Sequence, residues 1–328
     1  MTDTRPTYTC KDLAFLVPTK DRPHKLRNLL ESLAQQSVPC GRIIIVDGGE
    51  SVRETVLAFS DVLPVEHYLC HPPGQIRQRN LGISLLDDRT PLVGSLDDDI
   101  VMLPTAVEEM LRFWNACNAE TAGVSFNIVN LPAENYSWLT ALFGLTAREP
   151  GRVLPSGRNT GILSVPSDVR TQWLCGGATV WQQHILRTFS NREQDTKWAM
   201  AEDLVFSYPI GKLYPMYVCA RAQVRHEHVF DHKVKMKHKY RGRAETLWRF
   251  AFVESHPELS RGSFLLLQAA TVAARLFKGV TTLQAQHLQF ALGQMEGVAA
   301  GLIAVLRGTD VAALLADTPA TKAPRPTP

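Results

Sequence analysis

The sequence predicts an α/β fold, with a mostly parallel sheet flanked by helices and a helical C-terminal extension. Three observations carry that expectation. Two short, unbroken apolar runs, 13–17 and 43–46, enclose a stripe of helical period, the pattern of a right-handed βαβ unit. A third run, 91–94, leads straight into three consecutive carboxylates, Asp97, Asp98 and Asp99. Beyond residue 246 the apolar residues recur at helical intervals as far as 315.

Length and composition set limits on function. A chain of 328 residues can bury a sizeable core as one large or two modest domains. With 45% hydrophobic and 20% charged residues it has the composition of an ordered globular protein. A net charge of +3 is too small to argue for nucleic-acid binding. The six cysteines are scattered, without a CxxC pair or zinc-ligand spacing. The opening MTDTRPTYTCKD lacks the apolar core of a signal peptide, so reduced thiols and a cytoplasmic location are the expectation. No run reaches the ~18 unbroken apolar residues of a spanning helix. The nearest, 263–277, is interrupted by Gln268 and Arg275, so an integral membrane protein is not expected.

Taken in order, Leu13 to Val17 reads as a strand buried on both faces and ending at Pro18. Leu26, Leu29, Leu30 and Leu33 then fall at i, i+3, i+4 and i+7, one stripe of a helix. Ile43 to Val46 is a second buried strand, closed by Asp47, Gly48 and Gly49. A short helix is expected within 52–59, a weaker strand over 65–69 and a helix over 74–86, leading to the strand that ends at the Asp triplet. Val107, Met110, Leu111 and Trp114 restore helical spacing after Pro104. From 125 to 169 the pattern loosens, and 150–168 reads as a long loop, which in a compact domain is a sign of function or disorder. A strand is expected to resume at Trp173–Cys175, before Gly176 and Gly177, where a backbone can approach a ligand closely. Glu202 and Asp203 open the next helix, and a basic tract from Lys233 to Arg243 precedes the C-terminal helices. Leu288, Leu292, Met295, Ala299, Leu302 and Leu306 form a seam suited to packing on another helix. The resulting division is 1–243 for the α/β domain, 244–316 for the helical extension and 317–328 for a Pro- and Ala-rich, disordered tail.

The Asp triplet is where the chemistry concentrates. Three carboxylates at a strand tip repel one another and resist desolvation. A hard divalent cation, Mg2+ or Mn2+, removes that penalty. The same residues also fit a solvated turn at the start of the next helix, where Asp is favourable. Open parallel sheets bind ligands beyond the carboxyl ends of their strands. The Pro18 loop, Asp47 and Asp97 to Asp99 are therefore expected to meet in one cleft.

The motifs VPTKDRP, IIIVDGG, GQIRQRNLGI, SLDDDIVMLP, CGG, AEDLVFS and VRHEH follow one another over roughly residues 12–230. As an ordered set they resemble the inverting family 2 glycosyltransferases, which have the GT-A fold. The last third resembles the extension of bacterial cell-surface polysaccharide transferases. The resemblance implies a metal-dependent inverting enzyme of cell-envelope polysaccharide synthesis. It would move a sugar from a nucleotide-diphosphate sugar to a hydroxyl of a glycan or lipid-linked acceptor.

The resemblance also implies roles, residue by residue. Asp97 and Asp99 fit the family's D-x-D metal site with Mn2+ or Mg2+, and Asp97 and Asp98 would lie beside the donor. Which of Asp98 and Asp99 is the principal ligand stays open. The late histidine ligand falls on His226, with His228 as the alternative. Asp47 matches the carboxylate that reads the base, and Pro18, Thr19 and Asp21 the loop along base and ribose. Arg79 and Asn80 match the R-N pair beside the donor, while Arg77 is an alternative phosphate contact. Gly176 and Gly177 would form the floor beneath the donor sugar. Asp203 matches the base, and Glu202 an orienting or acceptor-binding group. Lys20 departs from the pattern, since many members carry an aromatic residue there.

Those polysaccharide transferases act at the cytoplasmic membrane face. The Lys233–Arg243 tract would suit peripheral contact with anionic lipid, and the apolar helices either that contact or a homodimer. Two other readings stay open: a nucleotidyltransferase acting on sugar phosphates, and a non-catalytic scaffold on a decayed fold of the same kind. The first calls for a Gly- and Lys-rich phosphate loop that the sequence lacks. The intact carboxylates argue against the second.

Overall fold

The apolar runs become strands because both faces of the sheet are covered. A computed structural model describes residues 7–134, 136–189, 201–227 and 237–316. In β1 (Leu13–Thr19) every residue is buried. Leu13, Phe15 and Val17 enter one core while Ala14 and Leu16 enter the core on the opposite face, as a period of two requires. Next come α1 (Pro23–Ala34), β2 (Arg42–Asp47), the short α2 (Arg53–Leu57), β3 (Val65–Leu69), α3 (Gln75–Ser84) and β4 (Leu92–Leu96). In β2 the split repeats, with Ile43 and Ile45 on one face and Ile44 and Val46 on the other. Pro23 starts α1, where its missing N–H is harmless. The stripe Leu26, Leu29, Leu30 and Leu33 is buried against the first core, as the spacing predicts.

Strands β3, β2, β1 and β4 lie side by side and parallel, with Thr19 opposite Asp47 at the carboxyl edge. The other half of the sheet is mixed. It holds β5 (Ile100–Met102), then, after α4 (Ala106–Ala116), β6 (Gly123–Ile128). A short α5 (Trp138–Leu142) precedes β7 (Val169–Thr171) and β8 (Ala178–Gln182); α6 (Gln183–Thr188) and α7 (Glu202–Leu213) lead to the long β9 (Met216–His226). The order continues β4-β8-β6-β9-β5, with β7 on β9. β8 runs antiparallel to β4, which brings its start beside the end of β4.

Two stretches differ from the sequence reading. Residues 123–128 are a fully buried strand, β6, where the pattern loosens in sequence. Ser125 and Asn127 interrupt the apolar run, yet both are satisfied inside the core. Ser125 Oγ donates to the Ala178 carbonyl (3.1 Å), and Asn127 Nδ2 donates to the carbonyls of Val165 (2.9 Å) and Ala220 (3.0 Å). Conversely, Trp173–Cys175 is not a strand but the link between β7 and β8. Its backbone finds side chains instead of a neighbouring strand: the Leu174 N–H donates to Ser207 Oγ at 2.9 Å. The 150–168 segment is irregular, as expected, apart from a single bridge between Val153 and Asn159.

The C-terminal third is α8 (His238–Glu254), α9 (Arg261–Thr281), α10 (Ala285–Leu306) and the short α11 (Ala313–Ala316). α8 runs through the expected division between 243 and 244. The apolar seam of α10 is covered only in part: Leu288 lies against Gly279 of α9 and Leu302 adjoins the C-terminal core, while Leu292 and Met295 are 49% exposed and Leu306 is 85% exposed. α10 packs on α8 through its opposite side, where Gly293, Gly297 and Gly301 are buried. A Cβ on Gly301 would sit 2.3 Å from the Phe250 ring, and one on Gly293 1.8 Å from the Lys239 carbonyl. Close backbone approach through small residues, not leucine interdigitation, joins these helices. By length and composition α9 and α10 could each cross a membrane, which a search for unbroken apolar runs does not reveal. His228, Lys233, Lys235 and the tail lie outside the described residues.

Gly301→Leu is expected to lower thermal stability by about 1–3 kcal/mol through overpacking, whereas Leu306→Ala should change it by less than about 0.5 kcal/mol. Paired thermal melts check this, and a costlier Leu306→Ala would restore the leucine seam as the packing face.

Candidate active site

The carboxyl ends of β1, β2 and β4 open onto a cluster of charged side chains. Asp97 follows β4 directly, and its N–H donates to the Gly177 carbonyl at 2.8 Å. Antiparallel pairing of Leu96 with Ala178 thus holds the Gly176–Gly177 turn against the triplet. A Cβ on Gly177 would lie 2.1 Å from Asp97 Oδ2, and one on Gly176 2.2 Å from Asp203 Oδ1. Neither position has room for a side chain, so two glycines are what lets a backbone floor touch both carboxylates.

Arg79 is the link across this floor. It is 9% exposed, and its Nη2 donates to Asp97 Oδ1 (2.9 Å) while its Nη1 donates to Glu202 Oε1 (3.0 Å). One guanidinium therefore joins the Asp triplet to the Glu202-Asp203 pair, Arg79 lying 123 residues before Glu202 in the chain. The buried residues of α3 are Gln78, Arg79 and Gly82. Gln78 Nε2 donates to the carbonyls of Thr19 (2.7 Å) and Val46 (2.6 Å), fastening α3 to the ends of β1 and β2.

The three aspartates have different surroundings. Asp97 also accepts from Gln75 Nε2 at 3.0 Å. Asp98 is buried, accepting from Thr19 Oγ1 (2.8 Å) and Arg22 Nη1 (3.2 Å); burial pushes its pKa up to about 6 against those two partners. Asp99 Oδ1 meets His226 Nε2 at 3.0 Å, a contact that raises the His226 pKa. The pairing of Ile100 with His226 between β5 and β9 sets that geometry. Asn130 clamps the His226 backbone from both sides, donating to its carbonyl (3.0 Å) and accepting from its N–H (2.9 Å).

Glu202 and Asp203 begin α7. Burial raises the pKa of both, opposed in each case by Arg79. Glu202 Oε2 is buried without a hydrogen bond. Beneath the pair lies a small cavity of about 40 Å³, walled by Leu16, Leu174, Trp181 and Phe206. A carboxylate with an apolar wall behind it keeps a raised proton affinity.

The remaining positions sit around this cluster. Asp47 is fully buried at the end of β2, where Oδ1 accepts from the Gly49 N–H at 2.7 Å and Oδ2 is 3.4 Å from His67 Nε2. Pro18 pairs with Val46 and Thr19 with Asp47 across the sheet. Asp21 adopts φ 53°, a left-handed conformation that Asp tolerates, and its Oδ1 lies against Gly49. Arg77 Nη1 donates to the Pro72 carbonyl at 3.2 Å, and Asn80 follows Arg79 on α3. The geometry thus gathers Thr19, Arg79, Asp97, Asp98, Gly176, Gly177, Glu202 and Asp203 into one contact network, with Asp99 and His226 adjoining it through Arg22.

Among the described residues, no three His, Cys, Asp or Glu side chains converge to cage an ion. Asp99 and His226 nonetheless face each other with an oxygen and a nitrogen. Two protein ligands fit an ion of the Mg2+ or Mn2+ type, which commonly completes its shell with water and substrate phosphate. Four residues escaped the sequence reading: Arg22, Gln75, Gln78 and Asn130. The first three lie inside the VPTKDRP and GQIRQRNLGI motifs, so the signal was present; Asn130 falls in the stretch without periodicity.

Residues 14–167 match the family model "Glycosyl transferase family 2". With the fold, the match makes that region a family 2 glycosyltransferase domain of GT-A type. No curated protein matches the sequence. Among solved structures, S. aureus TarS is similar at TM-score 0.51 and 14% identity, over 74% of this chain and 39% of that one. This chain therefore spans well under half of that TarS chain. The TarS 1-349 structure is similar at TM-score 0.53 and 13% identity, over 90% of this chain and 92% of that one. The mannosyltransferase PcManGT from Pyrobaculum calidifontis, solved with GDP-Man and Mn2+, gives TM-score 0.56 and 12% identity, over 90% of each chain. Identities this low speak to the fold alone.

Proposed function

We propose that this protein is a metal-dependent inverting glycosyltransferase, moving a sugar from a nucleotide-diphosphate donor to a hydroxyl of a glycan or lipid-linked acceptor in cell-envelope polysaccharide synthesis. The observation that carries this reading is the Arg79 bridge. It holds a donor-side carboxylate, Asp97, and the Glu202-Asp203 pair within the span of one side chain.

In this reading the nucleotide lies over the ends of β1 and β2. Asp47, whose Oδ2 lacks a hydrogen bond, accepts from the base, and the Pro18–Asp21 loop follows base and ribose. Asp99 and His226 would hold Mn2+ or Mg2+, with Asp97 of the D-x-D pattern drawn in only once the ion is bound; PcManGT, a protein of similar fold, was solved with Mn2+ and GDP-Man. When bound, the cation supplies positive charge against the diphosphate as it leaves. Asp98, tied to Thr19 and Arg22, keeps the triplet in register. The sugar rests on Gly176 and Gly177. Arg79 and Asn80 flank the donor, with Arg77 an alternative phosphate contact.

Asp203 takes the proton of the acceptor hydroxyl. The acceptor oxygen bonds to the anomeric carbon as the carbon–oxygen bond to the diphosphate breaks on the opposite face, which inverts the configuration. A buried carboxylate with raised proton affinity is suited to that role. Glu202, fixed by Arg79, orients the acceptor. Residues 1–243 would be the catalytic domain and 244–316 an extension. The extension's exposed seam and the Lys233–Arg243 tract suit peripheral contact with the inner face of the membrane, or a homodimer.

Incubation with a panel of nucleotide sugars and Mn2+, scoring nucleotide diphosphate, should give turnover that excess EDTA and Asp99→Ala both abolish while the fold is kept. Full turnover in EDTA would remove the metal from the account. Asp203→Asn should bind donor normally and lose ~100- to 10,000-fold in transfer rate, because an amide cannot take the proton. Glu202→Gln should act more on acceptor KM than on kcat; an Asp203→Asn enzyme within about threefold of wild type leaves the reaction without its base. Co-sedimentation with anionic vesicles at low salt, reversed at high salt, is expected for peripheral attachment. Recovery entirely in the supernatant at low salt would exclude it.

A further inference from the structure

A second cavity, of about 370 Å³, lies where the 150–168 loop, α7 and the C-terminal helices meet. Arg158 from the loop, Arg241 and Arg249 from α8 and Arg275 from α9 line it, with Glu245 the single carboxylate among the described residues. That carboxylate is taken: Glu245 Oε1 accepts from Arg241 Nε at 2.6 Å. Arg158 reaches Glu134 at 3.3 Å, but its Nε is buried without a partner. Arg249 and Arg275 form no ion pair among the described residues, although Glu245 acts on both at longer range. Arg249 Nη1 donates to the Gly157 carbonyl (2.7 Å), and the Arg275 guanidinium stacks 3.7 Å above the Phe290 ring.

Such a pocket holds more cation than it can neutralise. Burial lowers the Arg249 pKa to about 10, and neighbouring Arg158 pushes it the same way. Desolvated charge of one sign calls for a counter-charge from outside the chain. The far wall is polar although the helices carrying it are largely apolar. Gln294 Nε2 donates to Gln268 Oε1 and to Thr271 Oγ1, each at 3.2 Å, and Gln294 Oε1 is left unbonded. Planar guanidinium groups match phosphate oxygens, which several donors can share, and the unbonded Gln294 oxygen suits a hydroxyl of the group that carries the phosphate. A single α-helix separates this cavity from the proposed base. Ala201, Leu204 and Val205 of the α7 region line the arginine cavity, while Glu202, Asp203 and Phe206 line the other side.

We infer that the arginine cavity binds a phosphate group carried by the acceptor, anchoring it as its hydroxyl passes over the first turn of α7 to Asp203. The inference rests on the reading of Asp203 as the base, and binding measurements separate the two. Calorimetric titration of the full chain with glucose 1-phosphate, inorganic phosphate and glucose should give binding in that order, with glucose silent. Arg275→Gln, at a half-buried position, and Arg249→Gln should each weaken sugar-phosphate binding about tenfold or more. Asp203→Asn should leave it unchanged, so an inactive base variant and a failed anion site are told apart. Should Arg249→Gln melt early, the Arg275→Gln result decides. Unchanged affinity in Arg275→Gln, or no binding of either phosphate, overturns the site. Inorganic phosphate binding more tightly than the sugar phosphate overturns the acceptor assignment, leaving a free-phosphate site.

Discussion

One buried guanidinium organises the active-site region. Arg79 stands between Asp97 and Glu202, and Asp203 lies against the same charge. Without it these carboxylates would share a poorly solvated site uncompensated, a situation that costs about 3–5 kcal/mol when one partner of a buried ion pair is removed. The fully buried positions of the helix that carries Arg79 are polar or glycine, with Leu81 and Ile83 only partly buried against the core. α3 is held by Gln78, which spans the ends of β1 and β2, and by Gly82, which lets the helix close on Leu16 and Val46. Thus the feature that stabilises the carboxylates also fixes the helix on the edge of the parallel sheet.

The same constraint explains the neighbouring backbone. Gly176 and Gly177 are packed against the oxygens of Asp203 and Asp97, so the turn before β8 serves as a spacer between two negative groups. On the far side, His226 is carried to Asp99 by the pairing of β5 with β9 and is fixed by Asn130. The Asp triplet from the first half of the chain and Gly176, Gly177 and His226 from the second therefore meet because β4, β8, β9 and β5 belong to one sheet.

Much of this was legible in the sequence. Apolar runs with a period of two or of 3.6 mark elements whose burial is decided locally, and β1, α1, β2 and α4 follow from them. The ordered motifs pointed to the residues that now lie together. What escaped was decided by tertiary contacts. β6 carries Ser125 and Asn127, whose polar atoms are satisfied only by strands and loops distant in the chain. Arg22 and Gln78 bond to groups tens of residues away, which no spacing rule reveals. In α10 the leucines suggested an interface, but the backbone approach to α8 requires glycine and leaves Leu292, Met295 and Leu306 on the surface, while Leu288 packs on α9. The arginine cavity likewise draws on a loop, α8 and α9, and reads in sequence as unrelated surface charge.

If the Arg79 bridge couples the two halves of the site, Arg79 and Glu202 act as one unit in transfer. The direct measurement is a double-mutant cycle on kcat/KM with Arg79→Gln, Glu202→Gln and the combined variant, each verified as folded. The account predicts strong non-additivity, the combined variant being little worse than Arg79→Gln alone, because losing the guanidinium already releases Glu202. Losses that simply add would mean that the two residues contribute independently, and would contradict a site built around this bridge.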